Sequence, residues 1–112
     1  MIGAGYFLFT GMCKNTIISS NISSNKKWKL VLFERNCGAT TGFSTQVSLL
    51  KVDKELGNES GNIYIAEGYP KRYTLMWNSD TTATISGTSG ANFKKETRVN
   101  GIQFKYEQDF IR

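Results

Sequence analysis

The stretch from Trp28 to Arg35 constrains the fold more than any other part of this 112-residue chain. Trp28, Leu30 and Leu32 alternate with Val31 and Phe33, so an extended strand here carries apolar side chains on both faces. Such a strand must be covered on two sides, which makes it the expected central strand of a sheet. The composition agrees. Thirty Ser, Thr and Asn residues, with few Ala and Leu, disfavour a helical bundle, because short polar and β-branched residues prefer turns and strands.

A chain of this length forms one domain with a single modest core. The expected fold is therefore all-β: a single antiparallel sheet or small sandwich of about six or seven strands over residues 13–112. One short helix has room only at the extreme C-terminus, Glu107 to Arg112.

The remaining strands are read from patterning and turn chemistry. Asn36-Cys37-Gly38 and Thr40-Thr41-Gly42 lead into Phe43 to Val52, where Phe43, Thr45, Val47 and Leu49 share a face, so the two strands form a hairpin with a wide loop. Lys51 to Asn62 is charged and carries two glycines, and reads as an exposed connection before a strand at Asn62 to Ala66. Gly68-Tyr69-Pro70 ends that strand. Tyr73 to Trp77 and Thr82 to Ser86 form a hairpin around Asn78-Ser79-Asp80, and Gly87 to Gly90 is a further turn. The sharpest local signal is Val99-Asn100-Gly101-Ile102, which centres Asn-Gly in a two-residue type I′ turn and sets Val99 against Ile102 and Thr97 against Phe104. No repeat, heptad or low-complexity tract is present.

The start of the chain bears on location. Residues Met1 to Met12 are uncharged and largely apolar. As a helix they would reach about 18 Å, too short for a hydrocarbon core of about 30 Å. No basic residue precedes Ile2, so the segment reads as a truncated leader or an internal start, and the large Met12 disfavours lipidation of Cys13. Whichever its origin, the segment is expected to be packed, as an apolar strand on the core or against a second copy.

Cys13 and Cys37 are the only cysteines and there is no histidine, which leaves no complete zinc ligand set within one molecule. In an oxidising compartment the pair would close a loop of about two dozen residues and contribute about 3 kcal/mol. In a reducing one both would stay as buried thiols, and Cys37 beside Arg35 would have the setting of a reactive thiolate.

Three segments and the later Met76-Trp77 pair carry a resemblance. Ser24 to Phe43 (SNKKWKLVLFERNCGATTGF), Val47-Ser48-Leu49, Gly61-Asn62-Ile63 and Met76-Trp77 resemble a group of short uncharacterised bacterial proteins that often carry an N-terminal membrane or lipoprotein segment. The resemblance spans roughly residues 13 to 106, with the C-G-A-T-T element as its most specific part. It implies an envelope-associated β domain, and brings no assigned activity, cofactor or site residue.

Catalytic chemistry finds little footing. Without histidine, Ser-His-Asp and Cys-His arrangements are excluded within the chain. The carboxylates Glu34, Asp53, Glu55, Glu59, Glu67, Asp80, Glu96, Glu107 and Asp109 are scattered, as solvated surface acids are. Gly87-Thr88-Ser89-Gly90 lacks the Lys-Ser/Thr of a phosphate loop, and Asn21-Ile22-Ser23 and Asn58-Glu59-Ser60 match a glycosylation pattern only at the level of chance.

Charge offers a binding reading instead. Fourteen Lys and Arg against nine acidic residues give +5, and half of the cations fall into three clusters: Lys26, Lys27 and Lys29 around Trp28; Lys71 and Arg72 before Tyr73; and Lys94 with Lys95. These are the candidate anionic-ligand surface. The partners in view are an anionic membrane surface or an envelope protein. Nucleic acid stacked on aromatics is the alternative, and plain solubility explains such a charge equally well. Homodimers through a strand edge or the apolar N-terminus are also in view. The function expected is thus a small envelope-associated binding or accessory module without catalytic activity.

Overall fold

A computed structural model describes residues 13–38, 42–68, 72–88 and 92–108. Met1 to Met12, with the leader reading attached to them, lie outside the described residues.

Among the described residues nine strands follow in order: β1 (Lys14–Ile22), β2 (Trp28–Asn36), β3 (Phe43–Lys51), β4 (Tyr64–Glu67), β5 (Thr74–Ser79), β6 (Thr82–Thr88), β7 (Lys94–Lys95), β8 (Arg98–Val99) and β9 (Ile102–Gln108). They form a five-stranded sheet, β1-β2-β3-β4-β7, and a four-stranded sheet, β5-β6-β9-β8. The described residues are all-β and their two sheets fit the sandwich alternative, but with more strands than the six or seven expected. β2 is interior to the first sheet, as its two apolar faces require.

One core lies between the sheets. Leu30, Leu32, Val47, Leu49, Tyr64 and Ala66 of the first meet Leu75, Ala83, Ile85, Ile102 and Phe104 of the second, with Trp28, Tyr73, Trp77, Val99 and Tyr106 packed around them. These are the alternate residues of their strands, so the period of two decides which side is buried.

The expectation of purely antiparallel pairing fails at β6 and β9, which run parallel with Ala83 opposite Phe104 and Ile85 opposite Tyr106. A parallel pair needs a long crossover. Here the intervening chain supplies it by adding β7 to the other sheet, Lys95 opposite Tyr64, before returning through β8. The helix allowed for at Glu107 to Arg112 is also corrected: β9 runs through Gln108, its edge satisfied by pairing with β6, and residues 109–112 lie outside the described residues.

Two turn assignments shift as well. Asn78 and Ser79 belong to β5, so the turn falls at Asp80–Thr81. Gly87 and Thr88 belong to β6, where the ladder slips a residue; Gly87 has φ 90°, and a Cβ there would lie 2.4 Å from the Arg72 carbonyl oxygen. The Asn-Gly turn is as expected, with Asn100 at φ 52°, Gly101 at φ 81° and Val99 opposite Ile102.

The outer face of the first sheet is closed by a segment that its charge marks as an exposed link. Most side chains of residues 53–60 do face solvent, yet the backbone is fastened to the sheet. Asn15 Nδ2 donates to the carbonyls of Gly57 (3.0 Å) and Glu59 (2.9 Å), and Gly61 N donates to Gln46 Oε1 (2.6 Å). Asn62 then imitates a strand residue, accepting from Leu49 N (2.7 Å) and donating to Leu49 O (3.0 Å). Val31 and Phe33 are buried on this face. The Cys13–Cys37 disulfide continues the β1–β2 ladder one step beyond Lys14 and Asn36, with Cα atoms 3.9 Å apart.

Candidate functional site

The site is built at the end of the β1–β2 hairpin opposite the disulfide, around the turn that joins β1 to β2. Ser23 is buried and folds the turn on itself: its N–H donates to Trp28 O (2.8 Å), its carbonyl accepts from Lys26 N (2.9 Å), and its hydroxyl accepts from Trp28 N (3.2 Å). The same hydroxyl donates to Asn25 Oδ1 (2.7 Å), which also accepts from Lys27 N (3.1 Å). Asn25 N in turn donates to Asp80 Oδ1 in the β5–β6 turn (2.9 Å), tying the two sheets together. This network holds Lys26 at φ 61°, a left-handed backbone that a lysine adopts only when its surroundings enforce it.

The turn sets the lysines around Trp28. In the β2–β3 ladder Trp28 stands opposite Lys51, Val52 N donates to Lys27 O (3.1 Å), and Lys54 N donates to Lys51 O (2.9 Å). The result is an open hollow of about 400 Å³ lined by Lys27, Trp28, Lys51, Val52 and Asp53. Trp28 is half-buried, one side of the ring on the core and the rest at the hollow. Beside it Lys29 pairs with Ile22, which is 54% exposed. An aromatic wall with two ammonium groups against one carboxylate, Asp53, leaves a net positive hollow that suits a ligand with negative charge next to apolar or flat surface.

Of the cations singled out in the sequence, the structure gathers only Lys26, Lys27 and Lys29. Arg72 lies at the other end of β5 from the Asp80 turn, against Gly87, and Lys71 lies outside the described residues. Lys94 and Lys95 sit on the edge strand β7, with Lys95 Nζ 5.0 Å above the Tyr106 ring. The three clusters therefore do not form one surface. In their place the fold recruits Lys51, Val52 and Lys54, which sequence neighbourhood does not mark. The signal for them was the β2–β3 hairpin register, which fixes Lys51 opposite Trp28.

A second polar assembly lies within the core. Tyr64 and Tyr73 share a hydroxyl–hydroxyl hydrogen bond of 3.1 Å, and the Tyr64 ring lies 5.7 Å from that of Tyr106, whose hydroxyl donates to Glu96 O. Burial pushes the Tyr73 hydroxyl well above the ordinary tyrosine value, and the bond to Tyr64 adds to it; burial does the same for Tyr106, helped by the Glu96 charge. Among the described residues no group of His, Cys, Asp and Glu is arranged to hold a metal ion, and no helix is long and apolar enough to cross a membrane. Cys37 is in a disulfide, so the reactive-thiolate setting does not arise. No family model matches the chain, and no curated protein or solved structure is significantly similar to it.

Proposed function

We propose that this protein is a bacterial envelope-associated binding module, without catalytic activity, that docks an anionic membrane surface through its Trp28 end. The observation that carries the reading is the hollow in which Trp28 and Val52 are flanked by Lys27 and Lys51. Asp53 also lines it, Lys26 and Lys29 lie next to these residues in the chain, and Lys54 N donates to Lys51 O (2.9 Å). Tryptophan favours the boundary between apolar and wet layers, and each lysine near an anionic leaflet contributes about 1 kcal/mol. The disulfide supports an oxidising compartment outside the cytoplasm.

The test is co-sedimentation with vesicles. Phosphatidylglycerol-containing vesicles are expected to bind the protein and pure phosphatidylcholine vesicles to leave it in solution. Reversing Lys27→Glu and Lys51→Glu together should weaken the interaction at least tenfold, on the order expected for two lost lysine contacts. Equal retention by both vesicle types, or binding indifferent to the reversals, would sink the proposal. Salt-sensitive binding of a single-stranded oligonucleotide without vesicle binding would replace it with the nucleic-acid reading.

A further inference from the structure

A second depression, of about 230 Å³, lies near the disulfide at the opposite end of the first sheet, its walls including Arg35, Ser44, Ile65, Glu67 and Phe93. The ladders place Arg35, Ser44 and Glu67 in one row across β2, β3 and β4 on the solvent side of the sheet. Ile65 belongs to the next row, and Phe93, whose N–H donates to Ile65 O (2.8 Å), leaves 71% of its surface in water. So exposed a phenylalanine beside a groove is an apolar wall without a cover in the described fold.

Arg35 is fixed and not neutralised. Its Nη1 donates to Asn15 Oδ1 (2.8 Å), Asn58 O (3.0 Å) and Glu59 O (3.2 Å), all uncharged acceptors, and none of its bonds among the described residues goes to a carboxylate. Glu67, two strands away across Ser44, stands roughly 10 Å off by strand spacing. A guanidinium held by one nitrogen keeps its remaining edge for a planar anion, and its fork matches a carboxylate. The groove is smaller than the roughly 300–1,000 Å³ that drug-sized ligands occupy, which limits it to about one residue.

We propose that this groove binds a small carboxylate bearing an aromatic side chain, with the carboxylate on Arg35, the ring against Phe93 and Ile65, and an N–H donor turned to Glu67. A free aromatic acid and the C-terminal residue of a peptide present the same chemistry. The site lies apart from the lysine hollow and does not depend on it.

Amide chemical shifts of the full chain, titrated with N-acetyl-phenylalanine, N-acetyl-phenylalaninamide, a short peptide ending in phenylalanine, and inorganic phosphate, test the assignment. Saturable shifts at Ser44, Ile65 and Phe93 are expected with the acid, and at least tenfold weaker binding with the amide, which lacks the charge. The peptide binding as tightly as the acid, or tighter, identifies a chain end as the source; binding by the acid alone identifies a free ligand. Phe93→Ala, at an exposed position that does not threaten folding, should weaken the acid about fivefold. Arg35→Lys keeps the charge, loses the fork, and should weaken it about tenfold. No saturable shift, equal binding of acid and amide, phosphate binding as tightly as the acid, or an unchanged affinity in Phe93→Ala would each overturn the proposal.

Discussion

At one end of the β1–β2 hairpin the strands are joined by the Cys13–Cys37 bond, and at the other by a turn made of Ser23, Asn25 and Lys27 held with hydrogen bonds. The difference follows from what each end carries. A lysine cluster cannot be shaped by burial, because removing an ammonium from water costs far more than its stem gains. Directional polar bonds must place Lys26 and Lys27 instead, each contributing about 1 kcal/mol. Covalent closure at the far end frees the turn from that structural duty. The fold and the geometry of the cationic end are therefore separable, and that separation can be tested.

The largest expected effect is at the covalent end. Replacing Cys13→Ser and Cys37→Ser together should lower stability by about 3 kcal/mol, read by denaturant unfolding, while vesicle affinity of the still-folded protein stays unchanged. A folded variant that loses vesicle binding would break the separation between the ends.

A smaller effect is expected at the polar turn, with the opposite consequence for binding. Asn25→Ala removes the acceptor of both Ser23 Oγ and Lys27 N, and should cost about 1 kcal/mol. Because it releases Lys27 and Trp28, it should also weaken vesicle binding several-fold, although it changes no charge. Stability lost with vesicle affinity intact would mean that only the number of lysines matters, not their placement.

What was legible in the sequence divides along similar lines. β2 and the Asn100–Gly101 turn were readable because their signals are local: apolar residues on both faces of one strand, and a dipeptide that accepts two left-handed conformations. β7 was not, because a two-residue strand such as Lys94–Lys95 has no period to display; β8, equally short, was readable only through the turn that follows it. The parallel β6–β9 pair was hidden because its partners are separated by chain that serves the other sheet. Half of the candidate site was visible in Lys26-Lys27-Trp28-Lys29, and the other half, Lys51 to Lys54, becomes its neighbour only through hairpin register. The fastened connection, with Gly61 so close that a Cβ would lie 2.7 Å from Val47 O, was masked by its own surface charge.

The smallest expected effect belongs to the tyrosines, which pack around the core between the two ends. Below about pH 10 tyrosine is protonated in folded and unfolded chains alike, and contributes no pH dependence. Above it the unfolded chain releases protons that Tyr73 and Tyr106, held by burial well above their ordinary value, retain in the fold. The unfolded state then binds fewer protons than the native one, so stability present below pH 10 is lost as pH rises toward the raised native values. Both residues are half-buried, which keeps the slope shallow. Unfolding midpoints measured on either side of that pH should fall on the alkaline side, and less so in Tyr106→Phe, which leaves the ring on Tyr64 but has no hydroxyl to ionise. The same comparison read at the two ends sharpens the contrast: the disulfide is indifferent to this titration, so an alkaline loss as steep in Tyr106→Phe as in the parent chain would exclude Tyr106 as a contributor and leave Tyr73 as the group to test next.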